Sequence, residues 1–297
     1  MKRIIKTTMM VMVIVGLIFG MSQSALAVQE DSGVGDTIVV YGDTLTADQK
    51  EQTRRLLEVT DPDEVKEYTV TGEDISNYIN GDPNSRMFSS AKITRQEEGE
   101  GLTINIVTPE NITDVTSEMY ANALLTAGVE DATVDVASPV QVTGTSALSG
   151  IYKAYDEEGV ELDKERMKLA DEELDVATEL SDKEGMDENK VSELLTEIKK
   201  EIADQDPATK EDVERIVKEQ LDKLEISLSD KDRQLLIDLF DKMKDLDINF
   251  DNVKNQLEDI ASKVQDKFGD LLEDENFWNK VENFFKRLVD FFKNLFN

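Results

Sequence analysis

The chain has 297 residues, of which 65 are acidic and 33 are basic, so its formal net charge is -32 at pH 7. It contains neither histidine nor cysteine, which excludes a thiol nucleophile, an imidazole general base, a zinc site built on either, and a disulfide. We expect no nucleic-acid partner, because phosphate binding needs clustered Lys and Arg.

The first 27 residues have the features of a secretory signal peptide. Lys2, Arg3 and Lys6 form a positive start, and the apolar run that follows ends before an A-x-A cleavage signal at Ala25–Ala27. The run is shorter than the roughly 18–20 residues that a membrane span needs, so an uncleaved anchor is the less favoured alternative. Cleavage near Ala27 would leave a charge of about -35 and an extracytoplasmic protein, either secreted or associated with the cell envelope.

Residues 28–150 alternate between strand and helix patterns, which predicts a small α/β domain with a mixed sheet. The predicted strands are 37–41, 65–70, 88–95, 102–107 and 132–137, and the predicted helices are 46–57, 73–79 and 117–127. Thr46 and Gln49 have the spacing of a capping box at the first helix. The glycine-containing turn between the third and fourth strands predicts a hairpin.

Residues 151–276 predict an all-helical domain, because apolar stripes with helical spacing follow one another. Residues suited to the N-cap position precede these stripes: Asp163, Asp187, Thr209, Ser229 and Asp251. The predicted fold class is therefore α+β, with the α/β domain followed by helices and by a separate aromatic segment at residues 277–297.

Three motifs look like sites but have simpler explanations. Asp245–Asp251 begins like a calcium loop, yet Phe250 replaces the required glycine and Gln256 the required glutamate, so we predict a helix boundary. Ser89 and Lys92 fit S-x-x-K but fall in a strand, where their spacing puts them on opposite faces. The stretch 144–150 predicts a joining turn capped by Ser146, and a pocket for a small anion at the helix N-terminus is the alternative.

Runs of carboxylates occur throughout the chain, for example at Glu97–Glu98, Asp156–Glu158 and Asp171–Glu173. We interpret most of them as solvated faces and predict no catalytic, cofactor or metal residue. So negative a surface attracts cations, and we hypothesise weak divalent-cation binding that bridges the protein to anionic wall polymers. Adaptation to salt would explain the acidity without any ligand.

The last segment, residues 277–297, predicts an amphipathic helix whose apolar side chains fall in an arc of about 160° at 100° per residue. The candidate contact residues are Phe277, Trp278, Phe284, Phe285, Leu288, Phe291, Phe292, Leu295 and Phe296. The opposite face carries more Lys and Arg than Asp and Glu. Two interpretations stay open: the helix completes the protein core, or it binds a membrane surface or a partner.

The stretch beginning at Met119 contains NALLTAGV, VASPVQVTG and SALSGIYKAYD, and an earlier stretch reads VGDTIVVYGDTLT. These segments resemble domain of unknown function 1002, a family of uncharacterised secreted proteins of Gram-positive bacteria. The resemblance implies an extracytoplasmic, cell-envelope setting and brings no catalytic residues.

The function predicted from the sequence is that of a secreted, non-enzymatic cell-envelope protein with a binding or structural role. Association with the membrane surface through the last helix is part of this hypothesis. The alternative is a carboxylate-dependent cell-wall glycan hydrolase, which would need a cleft with two facing carboxylates. The ligand, the partner and the oligomeric state are left open.

Overall fold

The structure, a computed structural model, describes residues 35–260. Its strands are β1 Thr37–Gly42, β2 Lys66–Val70, β3 Ser90–Arg95, β4 Leu102–Ile106 and β5 Ala132–Ala137. Its helices are α1 Ala47–Leu56, α2 Gly72–Ile79, α3 Ser117–Ala127, α4 Ala147–Glu157, α5 Lys164–Ser181, α6 Glu188–Gln205, α7 Lys210–Lys223 and α8 Asp230–Lys244, followed by α9 at residues 250–260. A single 3-10 turn, Pro62–Glu64, precedes β2.

The five strands form one mixed sheet in the order β2-β1-β3-β5-β4. The outer pairs β1–β2 and β4–β5 are parallel, whereas β1–β3 and β3–β5 are antiparallel. The predicted mixed sheet and the α+β fold class are confirmed. The predicted hairpin between β3 and β4 is wrong, because β5 lies between these two strands.

The burial of the strands agrees with this order. Val134 and Val136 of β5 are fully buried, which suits a strand with a neighbour on each side. β4 lies at the edge of the sheet, where Ile104 and Ile106 remain partly exposed. A turn signal between two strands predicts that they are consecutive in the chain, but packing decides whether a third strand lies between them.

One hydrophobic cluster connects the sheet to the helices. α3 and α4 pack on one face of the sheet, and α3 also packs against α5 and α6. The cluster includes Val134 of the sheet, Leu124 of α3, Leu174 of α5, Ile198 of α6 and Phe240 of α8. It therefore contains residues from both sides of residue 150, and the division of the chain into two domains there stays a prediction.

The predicted helix starts are largely confirmed. Thr46 and Gln49 form a capping box, and Asp163, Asp187, Thr209 and Ser229 each cap the helix that follows.

The cap predicted at Asp251 is wrong. α9 begins at residue 250, and the Asn252 N–H donates to Asn249 Oδ1 at 3.1 Å. Asn and Asp are nearly equal as N-caps, so the sequence alone does not choose between these two positions.

The cap predicted at Ser146 is also wrong, because its side chain makes no capping hydrogen bond. The backbone of Ser146 is already helical, with φ -66° and ψ -11°, whereas a capping residue needs an extended conformation.

Candidate ligand-binding cleft

A cleft of about 490 Å³ lies where α2, two loops and α5 meet, and we call it the α2–α5 cleft. Its apolar lining is Ile75, Ile79, Phe88 and Val142, and its polar lining is Gly81, Asp82, Ser85, Arg86, Gln141, Thr143, Thr145, Ser146, Asp171 and Asp175. A concave site with an apolar surface and a few convergent polar groups is typical of ligand binding.

The loop after α2 forms the first wall and is held by two close backbone approaches. A Cβ atom on Gly72 would lie 2.1 Å from the carbonyl oxygen of Pro83, and one on Gly42 would lie 2.2 Å from that of Met87. Met87 also exchanges two hydrogen bonds with Thr44: its N–H donates to the hydroxyl at 2.8 Å, and its carbonyl accepts from the Thr44 N–H at 3.1 Å. These contacts fix the segment that carries Asp82, Arg86 and Phe88.

The loop before α4 forms the second wall. Gly144 has φ +105°, a conformation that favours glycine, and its carbonyl accepts a 2.6 Å hydrogen bond from the buried Tyr120 hydroxyl. The Val142 N–H donates to the Asn111 carbonyl at 2.8 Å. The turn predicted at residues 144–150 thus lies at the cleft, which it lines through Thr145 and Ser146.

The third wall is α5. Its three consecutive acidic residues, Asp171–Glu173, direct their side chains to three different environments. Successive helical residues are rotated by about 100°, so three adjacent carboxylates cannot share one environment. Asp171 lines the cleft, and Glu172 forms an exposed ion pair with Lys242 of α8 at 2.5 Å. Glu173 is buried. The interpretation of this run as a solvated face is therefore wrong for Glu173.

Glu173 belongs to a buried polar network at the junction of α3, α5 and α6. Its Oε1 lies 2.6 Å from Lys199 Nζ, and both side chains are 1% exposed. Lys199 also donates to the Asn122 carbonyl at 2.8 Å and to the Thr126 hydroxyl at 2.9 Å. The Thr126 hydroxyl donates to Glu173 Oε2 at 2.6 Å. The two opposite charges are thus in contact inside the core, although Glu173 Oε1 accepts no hydrogen bond.

Burial lowers the pKa of Lys199, and the charge of Glu173 opposes that shift. Sequence reasoning missed this pair. One signal was available, because Lys199 lies four residues after Leu195 and three before Ile202, on the buried side of α6.

The cleft side of α5 is different. Asp171 and Asp175 lie one turn apart, and neither has an ion-pair partner among residues 35–260. Burial, followed by the charge of Asp175, raises the pKa of Asp171 to about 7. Partial burial of the carboxyl group, followed by the charge of Glu172, also raises the pKa of Asp175, although the residue as a whole is exposed. The raised pKa values mean that the ionised forms of these carboxylates are disfavoured in the folded protein. A cationic ligand would stabilise the ionised forms.

The first wall brings a positive charge and a third carboxylate to the same cleft. The Arg86 guanidinium lies 5.6 Å from the centre of the Phe88 ring, and no carboxylate of the described residues pairs with it. Asp82 accepts hydrogen bonds from the Asn84 backbone N–H at 2.9 Å and from the Asn84 side chain at 3.0 Å. These bonds lower the pKa of Asp82.

The other predicted site residues are placed as follows. The candidate contact residues from Phe277 to Phe296 lie outside the described residues. Asp251 lines a separate cavity of about 490 Å³ with Ile248 and Phe250. In the part of the chain that the structure describes, no group of three or more carboxylates could hold a metal ion. Lys92 pairs with Asp135 at 2.9 Å, and Ser89 is buried immediately before β3.

The fold and the cleft define an α+β protein with a polar cleft between its sheet-bearing part and its helices. Between residues 35 and 260, no helix combines the length and the apolar character that crossing a membrane requires.

The chain belongs to the family described as Protein of unknown function (DUF1002), whose profile matches residues 41–260. It is 38% identical over 258 residues to the "Uncharacterized protein YpuA" of Bacillus subtilis (strain 168), a match that covers 84% of this chain and 86% of the relative. No solved structure matches it significantly.

Proposed function

We propose that this chain is a secreted, non-enzymatic cell-envelope protein that binds an envelope component in the α2–α5 cleft. The observation that carries the proposal is that this cleft has fixed walls bearing charges of both signs, none of them paired within the described residues. Charges that find no partner in the fold are suited to a ligand.

The proposed extracytoplasmic localisation rests on residues 1–27, which would be removed by cleavage after Ala27. Mass spectrometry of the protein from culture medium and from the wall fraction tests it. We expect an N-terminus at Val28 in both fractions. Protein that keeps residues 1–27 and is found only in the cytosol would contradict the proposed localisation.

The proposed membrane contact rests on the apolar face that the sequence predicts for a helix at residues 277–297. Such a face buries aromatic side chains in a lipid interface while Lys side chains extend to the headgroups. Co-sedimentation with anionic vesicles tests this, using the protein with and without residues 277–297. Equal sedimentation of both forms would remove the membrane part of the proposal and leave the cleft part intact.

Binding to isolated cell envelopes tests the cleft directly. The Asp171→Asn/Asp175→Asn variant should lose binding, whereas Glu172→Gln should keep it. Glu172 is a matched control, because it lies on the same helix, carries the same charge and is paired with Lys242 away from the cleft. A parallel assay with a chelator tests the bridging role of divalent cations.

A second candidate function is hydrolysis of cell-wall glycan. It is favoured by the different pKa values of two cleft carboxyls, raised to about 7 for Asp171 and lowered for Asp82. A protonated carboxyl can act as a general acid while an ionised one acts as base or nucleophile. Release of reducing ends from purified wall, lost in Asp171→Asn and in Asp82→Asn, would favour hydrolysis over binding alone.

A further inference from the structure

The α2–α5 cleft holds opposite charges apart. Arg86 lies on the loop after α2, and Asp171 and Asp175 lie on α5, yet Arg86 forms an ion pair with neither. Two partly buried carboxylates elsewhere in the described part do have cations close by: Asp74 lies 3.3 Å from Lys153, and Glu67 lies 2.7 Å from Arg54. The cleft therefore leaves room for a ligand between the two signs of charge.

The lining narrows the chemistry of that ligand. A simple anion would meet Arg86 but would be repelled by the three carboxylates of the lining, Asp82, Asp171 and Asp175. A simple cation would leave Arg86 without a partner. The α5 carboxylates are four residues apart, so their Cβ atoms lie about 5–6 Å from each other and one ammonium group can lie between them. Ile79 and Phe88 provide an apolar surface for a small side chain.

We propose that the α2–α5 cleft binds a zwitterionic peptide or amino-acid group, with its ammonium between Asp171 and Asp175 and its carboxylate at Arg86. This inference rests on the proposed function, because it names the class of envelope component that the cleft takes. Arg suits the carboxylate because its planar guanidinium can donate two parallel hydrogen bonds.

The experiment is calorimetric titration of residues 28–297 with dialanine, N-acetyl-dialanine and dialanine amide. Dialanine should bind, and each blocked peptide should bind at least about tenfold more weakly, because each lacks one of the two charges. Asp171→Asn and Arg86→Gln should each weaken dialanine binding by a similar factor.

Matched control variants separate the cleft from the general surface charge. Glu172→Gln removes a carboxylate next to Asp171 but outside the cleft lining, and Arg55→Gln removes an exposed guanidinium that pairs with Glu51. Both should bind dialanine within about twofold of the unchanged protein. Circular dichroism of each variant confirms that it is folded.

Two results would overturn the inference: no heat of binding up to about 10 mM dialanine, or binding that the blocked peptides and the cleft variants leave unchanged. The envelope assay separates this failure from failure of the proposed function. If the protein binds envelopes through Asp171 but ignores dialanine, the cleft function stands and the zwitterionic ligand is wrong. If it binds neither, both fail.

Discussion

The carboxylates on the two sides of α5 differ in whether they have a cationic partner. On one side, Glu173 is buried, lies 2.6 Å from Lys199 and accepts a hydrogen bond from the Thr126 hydroxyl, to which Lys199 also donates. On the other, Asp171 and Asp175 line a cleft without a cationic partner among residues 35–260. The first arrangement keeps a charge pair satisfied within the fold, and the second keeps carboxylates available. One helix thus supports both the core and the cleft.

The largest expected effect is on the buried side. Lys199→Met should lower the free energy of unfolding by about 3–5 kcal/mol, because it leaves the Glu173 carboxylate buried without a counter-ion. Urea denaturation measures the change. Lys242→Met removes the cation from the exposed Glu172 on the same helix and should cost about 0–1 kcal/mol. If the two variants are equally stable, the buried pair does not support the core.

The double variant Lys199→Met/Glu173→Leu sharpens this result. Removing both charges eliminates the uncompensated carboxylate, so it should recover much of the stability lost in Lys199→Met. The residual difference from the unchanged protein then measures what the pair itself contributes. A double variant as unstable as the single one would indicate that packing, rather than charge, explains the loss.

A cleft wall can be disturbed without touching the buried pair. Gly72→Ala places a Cβ atom 2.1 Å from the Pro83 carbonyl oxygen if nothing moves, so the loop that carries Asp82 and Arg86 must shift. We expect a cost of about 1–3 kcal/mol, typical of overpacking, together with weaker envelope binding. Gly150→Ala is the control, because this glycine also lacks a positive φ and its added Cβ atom would meet nothing closer than Val70 Cγ1 at 3.7 Å.

The pH dependence of stability tests the cleft side. Because the folded-state pKa of Asp171 is raised from its ordinary 3.8 to about 7, its ionised form is disfavoured in the folded protein. Its favourable contribution is complete below about pH 4 and is lost as the pH rises towards 7. Asp171→Asn should therefore be more stable than the unchanged protein at about pH 8, by roughly 1–3 kcal/mol.

Urea denaturation midpoints of Asp171→Asn and of the unchanged protein, measured from pH 4 to about pH 8, report the difference in stability between them. The gap between Asp171→Asn and the unchanged protein should widen over this range. A constant gap would show that Asp171 titrates with an ordinary pKa and that the cleft does not hold it in a costly state.

The smallest effect is expected at Asp175. It is exposed at the cleft, so Asp175→Asn should change stability by less than about 0.5 kcal/mol. The same substitution should nevertheless weaken envelope binding, because both carboxylates face the ligand in our proposal. A loss of stability without any loss of binding would assign Asp175 to the fold instead of the cleft.

Local patterns in the sequence predicted much of the fold. Capping residues such as Thr46 and Asp163 mark helix starts by interactions within a few residues, and β5 matches its predicted range of 132–137. The predicted hairpin between β3 and β4 was wrong because β5 pairs with β3 across a long stretch of chain. No turn signal encodes that choice.

The candidate cleft was beyond sequence reasoning for a related reason. Asp171, Glu172 and Glu173 are adjacent and chemically alike, and only the positions of Lys199 and Lys242 distinguish them. Folding brings Arg86 and Asp171 to the lining of the same cleft, over a separation in sequence that no spacing rule covers. The sequence predicts the turn at residues 144–150, but the role of this turn as a cleft wall depends on contacts with Tyr120 and Asn111.

Envelope binding by three proteins tests the central claim most directly: the unchanged chain, Asp171→Asn/Asp175→Asn and Glu172→Gln. The account predicts that the unchanged chain and Glu172→Gln sediment with isolated envelopes while the double variant stays in solution. A folded double variant that sediments as fully as the other two would contradict it, because the unpaired carboxylates of α5 would then have no part in binding.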